Sequence, residues 1–306
     1  MLSSIKKTIA GRFEILLDNQ SYFMGLAIIF VILYHSGCKF FYLGFVGVDV
    51  FLFLSGYRLS YSIARDSDLW FFIKKRFLKI YPLFFVLATT MTIISFLKGN
   101  DTSWSDWFCN ITSLSYYGIG GFFFEWYLCS LFLFYLIFPL LYKFSLFFRQ
   151  KILVVCLSLS FALLLLDFPW YYDCALGRAP IFILGILLFL FKRTKLIYSS
   201  LMWFGIMLFC SIILYTKGLV DTYVIVYFSA PFIMFLLTFM RIKRIQKIIS
   251  VIGKYTLEIY VANVIAMNIN IGGLSKITSY VLMNALCIFI IIHIGKLLNK
   301  SLCKIK

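Results

Sequence analysis

The chain has 306 residues, 63% of them hydrophobic and 13% charged, with a net charge of +17 and a mean hydropathy of +0.98. Soluble domains carry about 25% charged residues, so the composition excludes a water-soluble enzyme or binding module. It predicts an all-α polytopic integral membrane protein in a single domain over residues 1–306.

The first twenty residues are polar and mixed, with no small-residue cleavage site, so the first apolar run is read as the insertion signal. About ten spans follow, near 21–40, 43–63, 79–97, 122–142, 151–168, 178–191, 197–216, 222–240, 255–271 and 278–297. Most connections are brief; the longest, Lys98 to Gly121, is rich in Ser, Thr and Asp. With the N-terminus in the cytoplasm, 23 of the 29 basic residues fall on the inner side. The positive-inside rule therefore predicts that both termini are cytoplasmic. The positive charge is a topology signal, and no separate basic surface invites nucleic acid. Eight cysteines show no CxxC or metal-like spacing, so neither a metal site nor a bound cofactor is expected.

Ionisable groups at membrane depth are costly and usually mark sites. His35 ends the first apolar run, and Asp49 lies fourteen residues on, inside the second. A short antiparallel hairpin would bring the imidazole and the carboxylate to similar depth, and a carboxylate beside histidine is what a general base uses. The alternative is a buried histidine bonded to a backbone carbonyl, with Asp49 capping its helix.

Six blocks in sequence order then become recognisable. They are MGLAIIFVILYHSG, GFVGVDVFLFLSGYRLS, RFLKIYPLF, WYLCSLFLFYLIFPLL, GRAPIFILGILL and IGKYTLEIYV. Together they resemble membrane acyltransferase family 3, whose members move acyl groups, often acetyl from acetyl-CoA, onto sugars of surface polysaccharides. The resemblance implies that His35 and Asp49 are catalytic. It also implies an acyl-CoA co-substrate and, as acceptor, a surface polysaccharide or a lipid-linked sugar precursor. The chain departs from the family at three places. An arginine usually found eleven residues before the histidine is Met24, a histidine often found in the ninth span is Asn263, and an acid some members carry after the WxLS block is missing, with Leu131 or a neighbour in its place.

Met24 and Arg58 each lie 17 residues from the hairpin loop near Phe41, so antiparallel helices place them at one depth. Arg58 is thus a candidate for the missing cation, although its offset from Asp49 puts it on another face; the alternative is snorkelling to the headgroups. Arg76 and Lys79 match a family block and suit coenzyme A phosphates, whereas Lys74 and Lys75 read as positive-inside residues. Glu125, Trp126 and Arg178 are acceptor-side candidates. Trp126 equally suits the interfacial aromatic belt, and Arg178 equally suits pairing with Asp167 or Asp173. Ser55 and Gly56 permit close helix approach, and His293 is read as structural.

The combined expectation is a bacterial inner-membrane acyltransferase. A lipid-linked-sugar flippase or transporter, a polysaccharide polymerase and a catalytically degenerate member are the rival readings.

Overall fold

The computed structural model describes residues 11–37, 39–65, 69–122, 125–166, 169–191, 194–240 and 244–303. It is helical, with no strand among the described residues. In chain order the helices are α1 (Gly11–Asp18), α2 (Gln20–His35), α3 (Gly47–Arg65), α4 (Leu69–Leu97), α5 (Trp104–Ile111), α6 (Tyr127–Phe148) and α7 (Lys151–Leu163). They continue with α8 (Trp170–Leu176), α9 (Ala179–Phe191), α10 (Thr194–Thr216), α11 (Thr222–Leu237), α12 (Gln246–Ile252), α13 (Thr256–Met267) and α14 (Lys276–Cys303).

The expected ten spans are corrected by helix length. Seven helical stretches among the described residues are long and apolar enough to cross a bilayer: Leu43–Arg65, Trp70–Leu97, Tyr127–Phe148, Trp170–Phe191, Lys195–Thr216, Gln246–Met267 and Lys276–Leu298. An eighth is possible if α1 and α2, bent by 85° at Asn19, count as one. The segments expected to span at 151–168 and 222–240 form helices of 13 and 16 residues. At 1.5 Å per residue these reach only about 20 and 24 Å. The short sixth span lengthens instead, because α8 and α9 run on as Trp170–Phe191 with Arg178 at their junction.

Lipid-facing sides are plain on several helices. Leu136, Leu140 and Phe147 of α6 are exposed, as are Leu282, Leu286 and Phe289 of α14 and Met202, Ile206 and Phe209 of α10. Apolar stripes of this extent on helices that satisfy their own backbone bonds belong in hydrocarbon. This is an integral membrane protein.

The chain divides into two compact units. The first comprises Met1–Val31, Leu43–Leu69 and Leu136–Lys254. Its centre is the pairing of α3 with α9. A Cβ on Gly56 would stand 2.3 Å from the Phe182 carbonyl oxygen, and one on Gly185 would stand 2.2 Å from that of Phe53. The two glycines therefore let the backbones approach reciprocally, the small-residue packing favoured where lipid supplies no hydrophobic drive. Partners rise together along both helices, so α3 and α9 are parallel and their N-terminal ends lie side by side. In the same unit Gly25 packs on the Ile249 carbonyl, and the Tyr22 hydroxyl donates to the Met240 carbonyl at 2.6 Å.

The second unit comprises Ile32–Tyr42, Trp70–Tyr135 and Tyr255–Lys306. There α13 and α14 form an antiparallel pair, with Gly295 against Glu258 at one end and Tyr280 against Asn263 towards the other. The long polar connection is ordered. A capping box of Ser103 and Asp106 starts α5, and Trp107 and Asn110 donate to Thr89 and Thr92 of α4 at 3.1 and 3.2 Å. The Gly121 N–H then donates to Asp106 at 3.2 Å. Hydrogen bonding from the Ser103 side chain, and then from its backbone N–H, holds the exposed Asp106 carboxyl below its ordinary range.

Candidate active site

In the second unit, polar side chains gather along one face of α13. His35, the last residue of α2, is half-buried, and its Nδ1 lies 2.8 Å from the side-chain nitrogen of Asn263. The Asn263 amide oxygen lies 2.5 Å from the Tyr280 hydroxyl on α14, which also lies 2.9 Å from the Ile32 carbonyl. One helical turn before Asn263, the Tyr260 hydroxyl donates to Glu125 Oε1 at 2.6 Å. Glu125 also accepts the backbone N–H groups of Tyr127 at 2.5 Å and Leu128 at 2.7 Å. It therefore caps α6 with a carboxylate, which suits both the orphan donors and the positive end of the helix dipole.

In the first unit the chemistry is an ion pair. Arg178 Nε stands 3.2 Å from Asp49 Oδ1, and both side chains are buried, at 2% and 1% exposure. The guanidinium also donates to the Cys174 carbonyl at 3.1 Å and lies over the Tyr227 ring at 4.7 Å. The parallel packing of α3 on α9 dictates this meeting, since each residue sits at the start of its helix. Further along α3, Arg58 bonds the Gln20 side chain and places Nη1 3.3 Å from the Met24 sulfur.

A family model described as an acyltransferase domain matches residues 22–296, from α2 to most of α14. The chain belongs to acyltransferase family 3. Neither curated proteins nor solved structures give a match to it. Both clusters fall inside the matched region of this acyltransferase.

The sequence reading paired His35 with Asp49, whereas each has a described partner in its own unit: Asn263 for the imidazole and Arg178 for the carboxylate. Arg178 likewise has Asp49 as a described partner, while Asp167 lies outside the described residues. Glu125, expected on the acceptor side, has its oxygens bonded to the start of α6 and to Tyr260. Trp126 is half-buried beside Tyr127, with rings 5.9 Å apart.

On α4, Arg76 and Lys79 lie one turn apart. The Arg76 guanidinium sits over the Phe72 ring at 5.6 Å, and its Nε is buried with no hydrogen-bonding partner among the described residues. Lys79 is exposed and near enough to Glu258 of α13 to interact electrostatically. His293 bonds the Phe289 carbonyl of its own helix, as a structural histidine does. A cavity of about 220 Å³ in the first unit is lined by Phe13, Glu14, Leu17, Asp18, Tyr57, Leu188 and Ile197. Its two acids make it a poor phosphate site. No His/Cys/Asp/Glu group suited to a metal occurs among the described residues.

Sequence reasoning missed Tyr260 and Tyr280 and noted Asn263 only as a departure from the family. The available signal was spacing: Tyr260 and Asn263 are a polar i, i+3 pair in the apolar stretch that follows Glu258 in TLEIYVANVIAM.

Proposed function

We propose that this acyltransferase moves an acyl group, by default acetyl, from acyl-CoA to a sugar hydroxyl of a surface polysaccharide or its lipid-linked precursor. Its place would be the bacterial inner membrane, with both termini cytoplasmic as the basic residues favour. The observation that carries the reading is His35, an imidazole at the end of an apolar helix, held by a buried polar network in a chain of this family.

The chemistry follows from the imidazole. His35 takes the proton of the acceptor hydroxyl as its oxygen attacks the thioester carbonyl. The tetrahedral intermediate collapses by breaking the carbon–sulfur bond. The thiolate leaves and receives the proton from the imidazolium, giving an O-acyl sugar and free coenzyme A. Arg76 and Lys79 would hold the donor's phosphates, and the unmet Nε of Arg76 favours an anionic ligand there. Arg58, reaching the Met24 side chain, is the candidate for the cation the family usually places at that position. Glu125, Trp126 and Arg178 remain acceptor-side candidates, although the bonds of Glu125 and Arg178 favour organising α6 and the α3–α9 pair. Asp49 keeps a place in the proposal through Arg178.

Mass spectrometry of surface glycans from cells carrying wild-type protein, His35→Ala or neither tests this reading. An acyl-sized increment present only with wild type is the expected result. Identical glycans in all three, with the variant shown to reach the membrane, would return the chain to the flippase or degenerate readings.

A further inference from the structure

The network around His35 contains one hydroxyl proton too few for the contacts drawn on it. Tyr280 carries a single O–H, yet its oxygen lies 2.9 Å from the Ile32 carbonyl oxygen and 2.5 Å from Asn263 Oδ1. It can donate to only one of them. If the proton goes to Asn263, two oxygens face each other at 2.9 Å with no hydrogen between them. The two ends of a carboxamide are nearly identical in shape, so the network must assign them.

Turning the Asn263 amide over resolves the conflict. Its nitrogen then donates to the Tyr280 oxygen, and the Tyr280 proton goes to the Ile32 carbonyl. That carbonyl also accepts the Ser36 N–H at 2.9 Å and has a lone pair for each. The amide oxygen now faces His35 Nδ1 at 2.8 Å and requires a proton there. The exchange gives up only a 3.8 Å approach of the amide nitrogen to the Met267 sulfur, a weak acceptor.

We propose that Asn263 is the positioning residue of His35: its side-chain oxygen, fixed by Tyr280 and the Ile32 carbonyl, holds the proton on Nδ1 and leaves Nε2 as the base. Asn263 is fully buried and Tyr280 nearly so, so the relay is shielded from competing water. The four groups belong to one unit, and the terminal acceptor is the backbone of the helix that carries His35. A neutral amide thus does for this imidazole what the sequence reading assigned to a carboxylate. It orients the ring and selects the tautomer without adding a second charge at membrane depth.

This inference rests on His35 being the base of the transfer reaction, but its first test does not need the reaction. The chain contains two histidines, so ¹⁵N-histidine labelling of the full-length protein in nanodiscs gives two imidazoles, and His293→Gln assigns them. The expected spectrum has His35 protonated on Nδ1 and bare on Nε2. Protonation on Nε2 in the resting protein overturns the proposal whatever the enzyme transfers. Tyr280→Phe frees the amide, so a mixture of tautomers is expected at His35; an unchanged spectrum would remove Tyr280 from the relay.

The kinetic arm separates positioning from packing. Asn263→Leu is expected to lower kcat by about 10²-fold or more, the usual worth of a general base, with both KM values within about threefold. Asn263→Asp restores the acceptor oxygen and is expected to recover most of that loss. Wild-type kcat in a folded Asn263→Leu overturns the proposal. If His35→Ala itself keeps full activity, the reading of function fails, while the tautomer still reports on the network.

Discussion

Removing Asp49 or Arg178 singly should cost more than removing both. In Asp49→Leu the guanidinium stays buried at 2% exposure and cannot lose its proton. It keeps the Cys174 carbonyl and the Tyr227 face, so the loss should sit near the lower end of a broken buried pair, about 3 kcal/mol. In Arg178→Leu the stranded carboxylate has no other hydrogen-bonding partner among the described residues. It escapes by taking up a proton, which for an ordinary carboxylate at pH 7 costs about 4 kcal/mol. The double variant buries two apolar side chains, a replacement that is often neutral, and should lie within about 1–2 kcal/mol of wild type. Reversible detergent unfolding in mixed micelles, followed by tryptophan fluorescence, measures all four proteins. The expected coupling is at least about 5 kcal/mol, the two single losses less that of the double variant. A double variant that loses the sum of the singles, about 7 kcal/mol, would refute the reasoning. Glycan analysis adds a second answer: a stable double variant that transfers nothing places one of the pair in the reaction.

Four further outcomes are expected. Gly185→Ala puts a methyl group 2.2 Å from the Phe53 carbonyl and should cost about 1–3 kcal/mol by overpacking. Gly205→Ala, whose methyl meets only the tip of Phe232 at 3.7 Å, should be near neutral in the same unfolding assay. Arg58→Ala should lower transfer and Met24→Arg should rescue it in that background, read as acylated product per enzyme; full activity in Arg58→Ala ends the cation assignment. Because the folded carboxyl of Asp106 titrates below its ordinary 3.8, its contribution is fully present above that value and fades as the pH falls through the folded one. Hydrogen exchange across residues 100–122 should stay protected down to about pH 4 and rise below it, whereas Asp106→Asn should exchange fast throughout. Equal protection in wild type and Asp106→Asn would remove the carboxylate from the account.

The membrane class was legible because long apolar runs obey a one-dimensional rule. The contact of Arg58 with Met24 was reachable from residue counting, since two helices joined by a short loop share a ruler. The pairing of Asp49 with Arg178 was not, because it joins residues 129 apart through a parallel α3–α9 contact that runs through Gly56 and Gly185. Gly56 looked like a packing residue, but nothing in the sequence named its partner helix or Gly185. Helix number failed for a related reason. A run such as Thr222–Leu237 is apolar enough to span, yet it stops after 16 residues. The partner of His35 was hidden most deeply: an amide in an apolar helix gives no charge to notice, and only tertiary packing brings α14 and its tyrosine alongside.

Glu125 gives α6 a fixed end. The carboxylate holds the first N–H groups of the helix and the Tyr260 hydroxyl of α13 at once, so sliding α6 along its axis would break the bond to Tyr260. The exposed side chains of α6, Leu133, Leu136, Leu140, Phe144, Leu146, Phe147 and Phe148 among them, lie in its middle and second half. A bilayer thinner or thicker than its 22 residues prefer would load the Glu125–Tyr260 bond, which ties the start of α6 to α13 within the second unit. Lipid chain length would then reach the protein through one hydrogen bond.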